Sequence, residues 1–282
     1  MQTSAVCTDT RNILPNSLFF CLKGENFNGN DFALDALKQG AAFVVTDRED
    51  LKNEPKCVVV KDVLDTLQQL ALHHRRHLSI PIIGITGTNG KTTTKELTAA
   101  VLCRKFKTAF TKGNLNNHIG VPLTLLSIKP DDEIAIVEMG ANHPGEIAQL
   151  CQFVEPTFGL ITNIGTAHIE GFGSQENIIK TKSALYEAVR KQEGTLFVNA
   201  DDELLMSLTA DDEQVIYYGH DEESAARGEV VEMNPYLKIR LFGQEVETHL
   251  TGKYNLNNML AAAAVGTVLY LRGNDAGKYG MP

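Results

Sequence analysis

At 282 residues, 43% hydrophobic and 22% charged, the chain has apolar material for a sizeable core and length enough for two domains rather than one. Its formal net charge of −9 argues against a general nucleic-acid binder, which carries a basic face to neutralise phosphates. Residues Met1 to Arg11 hold no apolar run, so no secretory leader is expected. The longest apolar stretch, Met259 to Leu271, is alanine-rich and too short to span a bilayer; it reads as a buried helix, with no membrane insertion. The cysteines Cys7, Cys21, Cys57, Cys103 and Cys151 lie far apart without metal-ligand spacing and read as reduced, buried thiols of a cytoplasmic protein.

In chain order, Ser17–Leu22 is an apolar strand candidate, and Asp31–Gln39 is helical, with Asn30 or Asp31 as cap and Gly40 as stop. Ala41–Thr46 and Cys57–Val60 are further strands, and Asp62 to Leu78 is an amphipathic helix with Val63, Leu67, Leu70 and Leu72 among its apolar positions. Its basic end, His73 to His77, reads as a solvated terminus, since cations favour the negative end of a helix dipole. From Pro81 strands and helices alternate. Strands are expected at Pro81–Thr86, near Thr108, and at Glu133–Val137, Phe158–Thr162 and Thr195–Asn199. Helices are expected from Lys91, Ile119 and Pro144, and over Glu176–Val189. Such alternation predicts an α/β fold with a mainly parallel sheet covered on both faces, and the short segments of 214–250 predict an antiparallel edge. The expected division is a small α/β domain over 1–80, a larger domain over 81–272 and a tail over 273–282.

The strongest local signal is the run from Gly84 to Thr94, which contains Gly87-Thr88-Asn89-Gly90-Lys91-Thr92-Thr93 between an apolar strand and a helix start. Glycines let backbone N–H groups converge on phosphate oxygens, and the helix N-terminus adds favourable partial charge. Lys91 would reach the β- and γ-phosphates of ATP, and the Thr92 hydroxyl would help hold Mg²⁺. The spacing departs from the general phosphate loop, because Ile85 stands where a glycine is usual.

This variant of the loop resembles that of the Mur ligases and their folylpolyglutamate synthase relatives, and the resemblance runs through nearly the whole chain. Thr8-Asp9-Thr10-Arg11, Leu18 to Gly24 and Phe27 to Phe32 look like the family's uridine-nucleotide module. That resemblance implies a UDP site near Thr10, Arg11, Lys23 and Asn28 in the first domain. Three further stretches, Thr111–Leu126, Val137–Ile147 and Thr162–Ser174, are similar to the branch of the family that adds a dipeptide. In the first of them Asn114, Asn116 and Asn117 are substrate-binding candidates, with helix capping as the plain alternative.

Glu138 ends an apolar strand, where a carboxylate serves either as a Mg²⁺ ligand or as ordinary surface charge; the phosphate loop favours the ligand. By resemblance His168 would help bind a second Mg²⁺. Lys182 matches the lysine that becomes carbamylated in the family, which would give that metal a carboxylate-like ligand in place of a solvated helix lysine. Gly252 to Asn258 resembles the segment that contacts adenine, with Asn255 and Asn258 three apart on a helix start. Two departures stand out: Ala184 where the family usually has glutamate, and Tyr254 where it commonly has histidine.

The resemblance implies a ligase that uses ATP and Mg²⁺ to join D-alanyl-D-alanine to a UDP-N-acetylmuramoyl-tripeptide through an acyl phosphate, as a monomer. Lys91, His168 and Lys182 would be the catalytic groups. Two other readings stay open: a related ligase, for the third amino acid or for folate glutamylation, and a non-catalytic nucleotide-binding remnant. In the family a third domain follows the alanine-rich helix. Here residues 273–282 stand where it would begin, which fits a partial sequence or a natural truncation, so full turnover by this chain alone is not expected.

Overall fold

The computed structural model describes residues 3–166 and 169–274. In the first unit β1 (Val6–Cys7), β2 (Leu18–Phe20), β5 (Phe43–Thr46) and β6 (Cys57–Val59) form a parallel four-stranded sheet in that order. A hairpin of β3 (Lys23–Gly24) and β4 (Phe27–Asn28), helix α1 (Ala33–Lys38) and helix α2 (Val63–Arg76) complete it. Alternation decides the faces: Phe19, Cys21 and Val44 pack with Ala33 and Ala36 of α1, whereas Phe20, Leu22 and Val45 pack with Val63 and Leu67 of α2. The expected helix cap is corrected here. The Asn28 side chain accepts from the Asn30 amide and caps a short 3₁₀ turn over Gly29–Phe32, and α1 starts only after it.

From residue 82 the chain builds a nine-stranded sheet. Its elements are β7 (Ile82–Thr86), α3 (Lys91–Leu102), β8 (Thr108–Phe110), α4 (Gly120–Leu126), β9 (Ile134–Glu138), α5 (Glu146–Val154), β10 (Phe158–Ile161), α6 (Ile169–Phe172) and α7 (Gln175–Lys191). They continue with β11 (Thr195–Asn199), α8 (Glu203–Ser207), β12 (Val215–Gly219), β13 (Ala226–Met233), β14 (Leu237–Leu241), β15 (Gln244–Glu247) and α9 (Asn255–Asn274). The strand order is β15-β14-β13-β12-β11-β10-β7-β9-β8. Pairing is parallel from β8 to β13, and only β13, β14 and β15 pair antiparallel. The predicted antiparallel edge is therefore narrower than residues 214–250, because β12 and the near side of β13 join the parallel register.

All five residues of β7 and of β9 are buried, as expected of strands covered on both faces. Ile83, Ile85, Ile134 and Ile136 pack with α3 and α9; Ile82, Ala135 and Val137 pack with residues of α4, α5 and α7. Helix α2 lies between the two units. Its Ala71 joins the larger core, and the smaller core takes in Ile119, Leu123 and Leu126.

The basic end of α2 corrects the solvated-terminus expectation. His73, Arg76 and His77 are exposed, but Arg75 is buried and donates to the carbonyls of Val154, Leu78 and Glu155 at 2.8, 3.1 and 2.9 Å. The cysteines are free; Cys7, Cys21 and Cys151 are buried, whereas Cys103, at the end of α3, is exposed. No helix among the described residues is long and apolar enough to cross a membrane.

Candidate functional site

Four adjacent strands, β10, β7, β9 and β8, deliver the loops that matter at their carboxyl ends, on either side of the point where strand order reverses. After β7 the chain turns through Gly87 to Gly90 and enters α3 with Gly90 as N-cap at φ 80°. Both glycines have φ in the left-handed half of the map, 148° at Gly87 and 80° at Gly90. A Cβ at Gly87 would collide with the Thr162 hydroxyl, and one at Gly90 would lie 2.6 Å from Asn258 Oδ1. The loop is braced from β10: Thr162 Oγ1 donates to Asn89 O at 2.6 Å, and Asn163 accepts from the amides of Thr88 and Asn89.

Lys91 folds back over this turn, its Nζ donating to Gly87 O at 2.8 Å and Thr88 O at 3.0 Å. Lys182, from the middle of α7, donates to the same Gly87 oxygen at 2.9 Å and is only 4% exposed, so it is no solvated helix lysine. Burial, and then the Lys91 charge, bring the Lys182 ammonium down to about 8. Lys91 is lowered by its own burial, with the Glu138 charge acting the other way.

Glu138 ends β9 and is 0% exposed, which excludes the surface-charge alternative. Its Oε1 accepts from Thr92 Oγ1 at 3.1 Å and Asn116 Nδ2 at 2.8 Å, while Oε2 is buried without a hydrogen-bond partner. Such an oxygen beside a phosphate loop fits a hard cation, which takes one or two protein carboxylates together with phosphate oxygens and water. Among the described residues no group of three or more His, Cys, Asp or Glu side chains would hold a metal unaided. His168 lies outside the described residues.

Beyond β8, the asparagines divide. Asn116 is drawn in to Glu138, and its carbonyl accepts from the Gly140 amide at 2.7 Å. Asn117 Oδ1 accepts from the Ile119 and Gly120 amides at 3.1 and 2.9 Å, so it holds the turn that leads into α4, and Asn114 is exposed. Asn255 and Asn258 are buried and joined to each other at 2.8 Å, and Asn258 Oδ1 accepts from Thr94 Oγ1 at 3.1 Å. This short chain ties the start of α9 to the phosphate-loop helix. Asn255 Oδ1 accepts from the Asn258 side-chain amide and not from a helix N–H, and its Nδ2 donates to Thr251 O, so it ties side chains and loop together in place of capping. Thr93 is half-buried in the first turn of α3.

Thr88, Lys91, Asn116, Asn117 and Lys182 line one side of a cleft of about 740 Å³, and Asp65, Gln68 and Gln69 of α2 line another. The expected uridine residues sit at carboxyl ends of the smaller sheet. Thr10 and Arg11 follow β1, with Arg11 paired to Asp9 and its side chain 86% exposed. Lys23 and Asn28 face each other across the β3–β4 hairpin, and Lys23 pairs with Asp47. Asp47 in turn accepts from Asn30 Nδ2 at 2.6 Å, and Asn30 also takes the Thr46 hydroxyl. Sequence reading missed Asp47, and it quoted Asn30, Thr162 and Asn163 only within family-like stretches, giving Asn30 a capping role and the other two none.

The Mur ligase middle domain matches residues 85–266, and the Mur ligase family catalytic domain matches residues 2–83. A Synechocystis protein named UDP-N-acetylmuramoyl-tripeptide--D-alanyl-D-alanine ligase is 43% identical over 275 residues, which are 96% of this chain and 59% of that protein. A crystal structure of MurF from Acinetobacter baumannii superimposes with a TM-score of 0.81 at 32% identity, over 95% of this chain and 59% of that one. MurF ligase from Thermotoga maritima, solved in complex with ADP, gives 0.80 at 29% identity over 96% of this chain and 64% of that one. The chain thus spans about three fifths of the length of the curated relatives it matches.

Proposed function

The chain belongs to the Mur ligase family, and from that premise we propose that it carries the UDP-substrate and ATP-binding parts of the ligase that adds D-alanyl-D-alanine to UDP-N-acetylmuramoyl-tripeptide. One observation carries the chemistry. Lys91 and Lys182 meet at the Gly87 carbonyl in the wall of a polar cleft, and Glu138, bound through Oε1 to Thr92 and to the cleft residue Asn116, keeps a buried Oε2 that receives no hydrogen bond. The choice of step is supported by the names of the relatives, which are dipeptide-adding ligases at 30–43% identity. The division near residue 80 is part of this reading and is supported by the separate four-stranded and nine-stranded sheets on either side of it.

In this reading Gly87 to Thr93 cradle the phosphates of ATP, and Lys91 neutralises charge on the γ-phosphoryl group. Thr92 and Glu138 would hold Mg²⁺, with His168 and a carbamylated Lys182 serving a second ion. Bound magnesium would supply charge neutralisation on the phosphates. The tripeptide carboxylate attacks the γ-phosphorus, the bond to the β-phosphate oxygen breaks, and ADP leaves an acyl phosphate. The amine of D-alanyl-D-alanine then attacks the acyl carbon, phosphate departs, and the nitrogen loses its proton. Such transfers need positioning and charge neutralisation rather than a protein nucleophile. Asn116 serves the site through Glu138. Thr10, Arg11, Lys23 and Asn28 would meet the uridine nucleotide, and Asn255 and Asn258 would carry the nucleoside side of the ATP site.

Calorimetric titration of the chain with UDP-N-acetylmuramoyl-tripeptide, UDP-N-acetylmuramoyl-dipeptide and ATP·Mg²⁺ tests this. Preference for the tripeptide, weakened by Arg11→Ala, is the expected result. Nucleotide binding without affinity for either UDP-sugar peptide would overturn the substrate assignment and leave a nucleotide-binding protein of the same family.

A further inference from the structure

Lys95 has no role in the reading above. It lies on α3 one turn beyond Lys91, and its side chain is 0% exposed. A lysine ammonium is almost never buried completely unless opposite charge or acceptors compensate it. Three oxygens surround its Nζ: Glu96 Oε1 at 2.8 Å, Gly113 O at 3.4 Å and Glu138 Oε2 at 3.8 Å. Glu96 is a neighbour on the same helix and more than half exposed, so that pair does not require the amine to be inside. The other two do. They belong to the end of β9 and to the loop that opens the asparagine run.

The two oxygens of Glu138 are treated differently. Neutral donors, Thr92 and Asn116, hold Oε1, whereas Oε2 receives no hydrogen bond and faces the Lys95 charge from beyond hydrogen-bond reach. An ammonium at that separation orients a carboxylate without occupying its lone pairs, so the oxygen stays able to face a cation.

We propose that Lys95 is a positioning residue for Glu138: its buried ammonium fixes the Oε2 side of the carboxylate and the Gly113 carbonyl together, so that the metal-binding face and the Asn114–Asn117 loop share one arrangement. The proposal rests on Glu138 as a magnesium ligand. Partners that orient a metal ligand are typically worth about 10–100-fold in metal affinity, which sets the size of effect to look for.

The test is calorimetric titration of the full chain with ADP, in Mg²⁺ and in EDTA, for the wild type, Lys95→Met, Lys95→Arg, Glu138→Gln and the Lys95→Met/Glu138→Gln double variant. Lys95→Met should weaken ADP binding about tenfold in Mg²⁺ and leave it unchanged in EDTA. Lys95→Arg should recover most of the loss, and Lys95→Met should add nothing in the Glu138→Gln background. If Lys95→Met fails to fold, Lys95→Gln keeps a donor for Gly113, removes the charge and is read in the same way. Wild-type or tighter Mg·ADP binding by the variant would overturn the proposal, because the ammonium would then only repel the metal. Equal losses with and without Mg²⁺ would overturn it too, as a packing effect. A Glu138→Gln chain that keeps its Mg²⁺ dependence removes the premise itself. Loss of that dependence in Glu138→Gln but not in Lys95→Met removes the Lys95 proposal alone.

Discussion

Lys91 and Lys182 donate to one acceptor, the carbonyl oxygen of Gly87, at 2.8 and 2.9 Å from two different helices. Two ammonium groups in one buried corner repel each other, and the loop carbonyls that hold them are only partial compensation. The arrangement is stable as part of a folded domain because α3 and α7 are fixed by the large sheet. It concentrates positive charge where a polyphosphate would offset it. Binding is then coupled to relief of strain that folding has already imposed.

A pH dependence follows for Lys182 in the unliganded chain, where its amine is free and uncarbamylated. Its ammonium titrates at about 8 in the folded chain and at the ordinary 10.5 when unfolded. Between these values the native state carries fewer protons than the unfolded one, so stability rises with pH through that window; below it the penalty is fully present. Lys182→Met removes the penalty and should stabilise the unliganded chain at neutral pH by up to about 3 kcal/mol. Urea midpoints for both chains at neutral pH and near pH 10 measure it, with the difference shrinking at the higher value. A constant difference would mean that Lys182 is not held as a disfavoured ammonium.

Gly87 tests the loop itself. Alanine there meets a positive φ and the Thr162 hydroxyl at once. Gly87→Ala should lower stability by about 2–4 kcal/mol and abolish measurable ADP binding. Adding Thr162→Ala relieves the side-chain collision but not the backbone strain, so recovery should be partial. Thermal melting and ADP titration of the single and double variants check both halves, and full recovery would show that the backbone was never strained.

The β7–loop–α3 unit was legible because three independent signals coincide: a wholly apolar strand, a glycine turn and a helix start. Gly40 was legible as a stop for the same kind of reason, and it has φ 109°. What stayed hidden was short or non-local. β1, β3 and β4 are two residues each, too short to show a period. Arg75 looked solvated within a basic run, because its acceptors at Val154 and Glu155 come from a strand–helix unit much later in the chain. Lys95 followed the recognisable motif by one residue, and nothing in spacing says that this face of the helix meets Glu138. Residues whose partners are backbone carbonyls or distant carboxylates leave no pattern in the sequence.

Asn258 joins α9 to the phosphate-loop helix through groups that have no water to fall back on. Asn258→Ala would leave the Thr94 hydroxyl and the Asn255 carbonyl oxygen without their present partners. A loss of about 2–3 kcal/mol is expected. Thr94→Val alone should cost less, and the double variant Thr94→Val/Asn258→Ala should cost less than the sum of the two, since each removes the same bond. Chemical denaturation of the three variants measures the coupling; strict additivity would mean that the bond contributes nothing.

Arg75 and Arg76 are neighbours of equal charge with opposite expected weights. Arg75 is buried, and its guanidinium reaches three carbonyls, two of them on the last residue of α5 and on Glu155, which ends that helix at φ 42°. Arg76 is largely exposed and pairs with the Glu155 carboxylate at 2.9 Å. A planar fork can serve several acceptors at once, whereas a lysine ammonium on a shorter stem cannot span them. Arg75→Lys should therefore cost about 2–3 kcal/mol, while Arg76→Ala should cost well under about 1 kcal/mol because its pair is screened by solvent. Salt separates the two further: raising ionic strength should erase the Arg76 effect and leave the Arg75 effect standing. Urea unfolding of both variants at low and high salt decides it. Equal, salt-sensitive losses would mean that Arg75 acts by charge and not by capping α5.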